Sequence, residues 1–331
     1  MRGRTAAFLG LVSGLGLAAI LLSSPRVVPE LADRVGLPPE VALGGAVAVT
    51  AAYACALAAR TGGRPVVTGA LALALASAAV LSEEPVLLAG AAVSMSVLTG
   101  SLAVMATRPT RSFPSVVREC LIGTALAAIG ACVVAAYGAE VSYERVRYLA
   151  FGLSLVVALG LVYRLSDGAH RLGRRGSAML VSGVLVLLVG LAYAEALTRW
   201  GPPGLVATIT DGVAELRARW GAVPMPVAAF VGLPALAWGV FSRARASQGW
   251  WICVFAAPAM SVVAVSLLHP TRSLEESGLA LLYSIVVGMV LGYLAIGIDV
   301  LVTGGRGRSA RAQETRSSPA REEPHRSRAL M

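Results

Sequence analysis

Long apolar runs separated by short polar breaks dominate this chain. Ten of them approach or reach the roughly 17–25 residues needed to cross a hydrocarbon core of about 30 Å. They are Thr5–Leu22, Val41–Ala59, Pro65–Leu81, Val86–Ala106, Cys120–Tyr137, Tyr148–Tyr163, Ala178–Leu197, Pro224–Phe241, Trp250–Leu268 and Leu279–Val302. In lipid such runs become helices, because a helix satisfies its own backbone polar groups. The pattern therefore predicts an all-α, polytopic transmembrane bundle of about ten helices spanning residues 1–302. Pro224, Pro226 and Pro234 crowd the eighth run, which predicts a broken or re-entrant helix there as the alternative to a full span. Arg2 and Arg4 precede the first run as in a secretion signal, but Ser23-Ser24-Pro25 offers no small-x-small cleavage site, so the run is expected to be retained.

Arginine sets the orientation. With the N-terminus inside, every inner segment holds two or more Arg, and the basic tail falls on the same side. The short outer turn Ser82-Glu83-Glu84 holds none. This alternation places both termini in the cytoplasm of a cell (plasma) membrane protein, and moving the count by one span destroys it. Trp200, Trp220, Trp238, Trp250 and Trp251, with Tyr137, Tyr143 and Tyr148, flank the runs where headgroup-level anchors belong.

Two outer loops carry their own period. Leu205, Ile209, Val213, Leu216 and Trp220 recur at helical spacing in Pro203–Trp220, opposite Asp211, Glu215 and Arg219. That predicts an amphipathic helix lying on the outer leaflet, with a shorter version at Pro29–Gly36. From Thr303 the apolar pattern stops, and residues 303–331 form a basic cytoplasmic tail expected to be disordered.

Composition agrees: 56% of the residues are hydrophobic and 14% charged, too little charge to solvate so apolar a chain in water. The net charge of +10 lies in loops and tail rather than on a folded patch, so the expected partners are anionic lipid headgroups and not nucleic acid. There is no Lys, which rules out a phosphate loop of the GxxxxGK[ST] type. His170, His269 and His325 fall outside the runs, and the four Cys are not clustered, so no cofactor or metal is expected. An enzyme is disfavoured on the same grounds.

Ionisable residues at membrane depth are candidates for function. Glu195 stands four residues before Arg199, which predicts an i,i+4 pair, while Asp299 lies in the last turns of the tenth run and is a candidate coupling or ion-pair residue. Gly10 with Gly14, and Gly288 with Gly292, have the spacing of helix-packing pairs. Ser94, Thr99 and Ser101 on the fourth run are candidate path-lining residues. Pro109-Thr110-Arg111-Ser112 recurs as Pro270-Thr271-Arg272-Ser273 after the ninth run, five runs on, as two inverted five-helix halves require. The expected function is transport of a small or lipid-like solute; the alternative is a non-enzymatic scaffold of the cell envelope acting through its outer helix and tail.

Overall fold

A computed structural model describes residues 3–139, 142–165, 173–244, 249–269 and 272–317, and every element among them is helical. Helix α1 covers Gly3–Ser23, α2 Pro29–Val35, α3 Glu40–Arg60, α4 Pro65–Ser82, α5 Pro85–Ala106 and α6 Phe113–Tyr137. Then come α7 (Tyr143–Leu165), α8 (Gly173–Trp200), α9 (Pro203–Trp220), a wide π-helical stretch Val227–Gly232, α10 (Leu233–Arg243), α11 (Gly249–Cys253), α12 (Ala256–Ala264) and α13 (Leu274–Ser317). Eight stretches among the described residues are long and apolar enough to cross a bilayer: six of these helices, the segment Trp250–Leu268 and α13 up to Leu301. The other two expected spans appear as shorter apolar helices, Gly183–Leu197 and Val227–Arg243. The chain is thus a multi-pass, all-α bundle of membrane type, with eight long apolar helical stretches among its described residues.

Proline decides where the spans are irregular. Pro234 has no N–H to give the carbonyl four residues back, and the backbone absorbs the loss by widening into the π stretch before it. The eighth run therefore stays helical from Val227 to Arg243. The break falls in the ninth run, at Val254–Phe255 between α11 and α12. Pro258 cannot bond the Val254 carbonyl, which frees those two residues from the helix. Helical backbone continues in α13 to Ser317, past the boundary at residue 303 from which the lost apolar face predicts disorder. Ala310, Ala312, Gln313 and Glu314 are good helix formers, and extending a helix that already exists adds one bond for each residue fixed. Residues 318–331 of the expected tail lie outside the described ones.

Contacts between loops sort the molecule into two ends, as alternating spans require. At the basic end, Nη1 of Arg60 donates to the carbonyls of Met105 and Ala106, both at 2.9 Å, and caps α5. Arg111 donates through Nε and Nη2 to the Ala244 carbonyl at 3.2 and 3.1 Å, just past α10. Arg243 donates to the Thr107 hydroxyl and lies over the Trp250 ring, 4.5 Å from its centroid. At the opposite end, Arg217 pairs with Glu276 at 3.0 Å, the Tyr283 hydroxyl donates to the Trp220 carbonyl at 2.9 Å, and the Tyr143 ring meets His269 edge-on. The amphipathic segments form as their spacing predicts: α9 buries no residue and leaves its apolar stripe exposed, and α2 ends on Gly36 at φ +64°.

Small residues make the closest helix contacts. Gly16 of α1 lies against Gly45 of α3, so a Cβ on Gly45 would sit 2.5 Å from the Gly16 carbonyl oxygen. A Cβ on Gly288 or Gly292 of α13 would press on Leu233 and Ala237 of α10, at 2.5 and 2.8 Å. Gly10 and Gly14 instead face open space within this chain, since the face of α1 that meets α3 runs through Gly16 and Ile20. Helix α5 is the hub, packing on α3, α4, α6, α7 and α12. Spans four and nine touch where Gly100 approaches the Ala257 carbonyl, and Pro270 and Thr271 of the recurring motif lie outside the described residues. Among the described residues the packing of α4 on α5 recurs as that of α10 on α11 and α12, whereas α10 also packs on α13 and its counterpart α4 packs on α3.

Two outcomes test this arrangement. Gly45→Val should drive α1 from α3 and lower stability in a detergent-unfolding assay by about 1–3 kcal/mol, whereas Gly10→Val should change little. Cysteine placed at Thr210 should react with an impermeant thiol reagent on intact cells, and cysteine placed at Ser317 should not; the reverse pattern would invert the membrane orientation.

Candidate functional site

The loosest seam in the bundle runs beside α4. This helix is built almost wholly of Ala, Leu and Val, and it packs on α3 through Gly69, Ala76 and Ala79. Small residues on all sides, among them Ala54, Ala72, Ala76 and Ala91, leave volume unfilled between α3, α4, α5 and α7. The result is a groove of about 650 Å³. Leu71, Leu75, Leu87 and Leu153 form its rim and are exposed, so the groove opens sideways toward the region of lipid.

At the end opposite the basic loops, a wider cavity of about 870 Å³ sits over the groove. Ser24, Arg26, Glu40, Ser77, Glu83 and Tyr137 give this vestibule its polar lining. Two backbone features shape it. Gly138 ends α6 at φ +62° and lies so close to the Arg26 guanidinium that a Cβ would collide with it. Glu83 ends α4 at φ +55°, a left-handed conformation that a non-glycine residue seldom holds, and it projects into the vestibule mouth.

Vestibule and groove adjoin within one turn on each shared helix: Val47 and Thr50 on α3, Val80 and Ala76 on α4, Leu88 and Leu87 on α5. Tyr137 marks the junction. Its hydroxyl lies 2.7 Å from that of Thr50, and Thr50 already donates to the Ala46 carbonyl at 2.8 Å, so Tyr137 is the donor. Tyr137 is therefore a buried, bonded side chain and not the headgroup-level anchor that its place at the end of a run predicts.

Below the junction the polar side chains among the described lining residues are all hydroxyls. Thr50 and Ser94 stand near mid-depth, Ser101 two turns beyond Ser94 (about 10 Å along α5), and Thr68 near the basic end of α4. Ser101 is 1% exposed and its Oγ has no hydrogen-bond partner. Behind it, Thr99 and Ser154 are equally buried and equally unpartnered, and Gly100 lets α5 approach Ser154, Ala257 and Ser261. The Ser261 hydroxyl points at the carbonyls of Pro258 (2.7 Å) and Ala150 (3.2 Å), just past the break in the ninth run. Helix interruptions of this kind are where transporters commonly build their sites.

Of the three expected path-lining residues, Ser94 and Ser101 line the groove, and Thr99 does not. Two residues along a helix is about 200° of rotation, which turns Thr99 away from the groove and onto Gly130 of α6. Glu195 pairs with Arg199 at 2.7 Å and accepts the Tyr148 hydroxyl, and it does not line the groove. Asp299 is half-buried and engaged on α13, also apart from it.

One buried carboxylate escaped the hydropathy pattern. Glu119 is 2% exposed in α6 and accepts the Arg108 backbone N–H at 2.8 Å and Nη2 of Arg118 at 2.7 Å. It stands immediately before the apolar run that begins at Cys120, so it reads as loop. The signal lay upstream: Pro114 after Ser112-Phe113 marks a helix start, which carries Glu119 almost two turns inside α6. Its bonds hold the 107–112 loop to the end of α6, beside Arg111 and Arg243, which tie that loop to α10, and Arg60, which ties the end of α5 to α3.

Glu119→Gln keeps the shape but weakens both charge-assisted bonds, and should lower stability by about 1–3 kcal/mol in detergent unfolding. An unchanged unfolding curve would mean that the carboxylate does not hold the loop.

Compared with known proteins, the chain matches no family model, no curated protein and no solved structure, and a functional reading therefore rests on the vestibule, the groove and the hydroxyls beneath it.

Proposed function

We propose that this protein is a non-enzymatic transporter of lipid-like solutes, which moves the polar part of an amphipath along the α3–α4–α5–α7 groove while its tail stays in the bilayer. One observation carries the reading: a polar vestibule continues into a laterally open apolar groove that ends on the buried, unpartnered hydroxyl of Ser101. A polar headgroup entering hydrocarbon loses its hydration, and each hydroxyl along the route returns a hydrogen bond. The tail needs no protein at all, because Leu71, Leu75 and Leu153 offer it a surface as apolar as lipid. The groove volume falls within the range of about 300–1,000 Å³ usual for small-molecule sites. Under this reading the ten-span, both-ends-inside topology puts the vestibule on the outer face.

A second reading has its own observation. The stripe Leu205, Ile209, Val213, Leu216 and Trp220 on α9 is 42–62% exposed, and Arg217 fixes the helix to α13 through Glu276. This is the surface by which a scaffold would grip a membrane or a neighbour.

Purified protein in liposomes separates the two. Transport predicts that a fluorescent lipid analogue in the inner leaflet becomes accessible to an impermeant quencher faster with protein than without. Ser101→Leu should slow this about tenfold, the rate equivalent of roughly 1.4 kcal/mol for one lost hydrogen bond, and Ile209→Glu should leave it unchanged. Equal quenching in protein-containing and empty liposomes would remove the transport reading.

A further inference from the structure

We propose that the groove passes uncharged, hydroxyl- or amide-bearing headgroups, those of a neutral glycolipid being the best fit, and rejects headgroups with a net charge; this rests on the transport reading above. Charged residues line the vestibule, where Arg26, Glu40 and Glu83 stand at the end of the bundle. None lines the groove: among its described lining residues the polar ones are Thr50, Thr68, Ser94 and Ser101. A charged group at membrane depth needs an opposite charge or deep hydration, and four hydroxyls supply no charge. The Thr50 and Thr68 hydroxyls donate to the Ala46 and Arg64 carbonyls and offer acceptor positions, while Ser101 keeps its donor as well, a mixture that matches the donors and acceptors of a sugar or an amide. A phosphate, by contrast, presents acceptors only.

The Ser101 hydroxyl points independently to a ligand. It is 1% exposed in a wall mostly of Ala, Leu and Val, and among the described residues no protein group meets its Oγ. A buried hydroxyl without a partner is unfavourable, and a serine within a helix has an easy remedy in bonding the carbonyl four residues back. Ser96 and Thr124 take that remedy, at 2.8 Å to Ala92 and Cys120, and Ser101 does not. Its free hydrogen bond is available to a group passing through the groove. The exposed rim formed by Leu71, Leu75 and Val157 leaves room for the tail to trail sideways into lipid, so one chain or two fits equally.

The full-length protein in liposomes tests this with three fluorescent probes of matched tails: a monoglycosyl diacylglycerol, an anionic phosphatidylserine and a lipid with a quaternary ammonium head. The neutral probe should cross fastest, with each charged probe slower by about a hundredfold, the rate equivalent of a bare charge at mid-membrane. Ser94 is exposed on the groove wall, so an Arg side chain has room there; Ser94→Arg, taken at a protein level in the liposomes matched to the parent, should raise the anionic rate about tenfold while leaving the cationic rate low. Comparable rates for all three probes would overturn the selectivity and leave transport standing. An anionic rate unmoved by Ser94→Arg would likewise overturn it, because charge would not be the discriminator. No movement of any probe would remove the inference together with the transport reading.

Discussion

Helices already in lipid gain little by covering one another's apolar sides, so this bundle depends on how closely its backbones approach. The contacts that matter are those where a side chain is missing. Gly16 on Gly45 joins α1 to α3, Gly100 on Ala257 joins α5 to α12, and Gly288 and Gly292 on Leu233 and Ala237 join α13 to α10. Dispersion between atoms in contact falls away within a fraction of an ångström, and these glycines bring whole helix surfaces into that range. The same rule explains the groove. Helix α4 packs mainly on α3 and more sparsely on α5, and toward α5 and α7 its alanines are too short to close the gap.

Backbone polarity is the second constraint, and proline is where it is felt. Each missing N–H in hydrocarbon must be compensated, and the chain uses two different remedies. Before Pro234 the helix widens and remains continuous. Before Pro258 it interrupts, and α12, where the helix resumes, lies against α5 and α7, with the Ala257 carbonyl at Gly100 between Thr99 and Ser101. An irregular backbone at depth is tolerated where protein covers it or where it borders a cavity, and this one has α5 and α7 over it with the groove one residue away.

The basic end is built on a different principle. There the arginines act less as isolated charges than as caps: Arg60 on the last carbonyls of α5, Arg111 on the carbonyl that follows α10, and Arg243 on Thr107. Glu119 closes the set by accepting the Arg108 amide. The 107–112 loop is thereby bonded to α6 and to the end of α10, from both halves of the chain, while Arg60 of α3 holds the end of α5 just before it. That end is stiff by its hydrogen bonds, whereas the α4 side is loose by its packing, and this difference is what gives the groove somewhere to open.

Hydropathy measures how one residue partitions between water and oil, and a single sequence carries that quantity in full. The membrane class, the all-helical architecture, the runs that become α1, α3, α4 and α5, and the amphipathic period of α9 were legible for that reason. Which face of a helix meets a neighbour depends on two surfaces at once, and no run of residues contains its partner's shape. Only the tertiary structure could turn Ser101 into the groove and Thr99 away from it, set Gly16 rather than Gly10 and Gly14 against α3, or bury Tyr137 on Thr50. Glu119 shows the same limit from the other side: its own character is that of a loop, and the bonds to Arg108 and Arg118 that make burial bearable come from groups the fold brings to it.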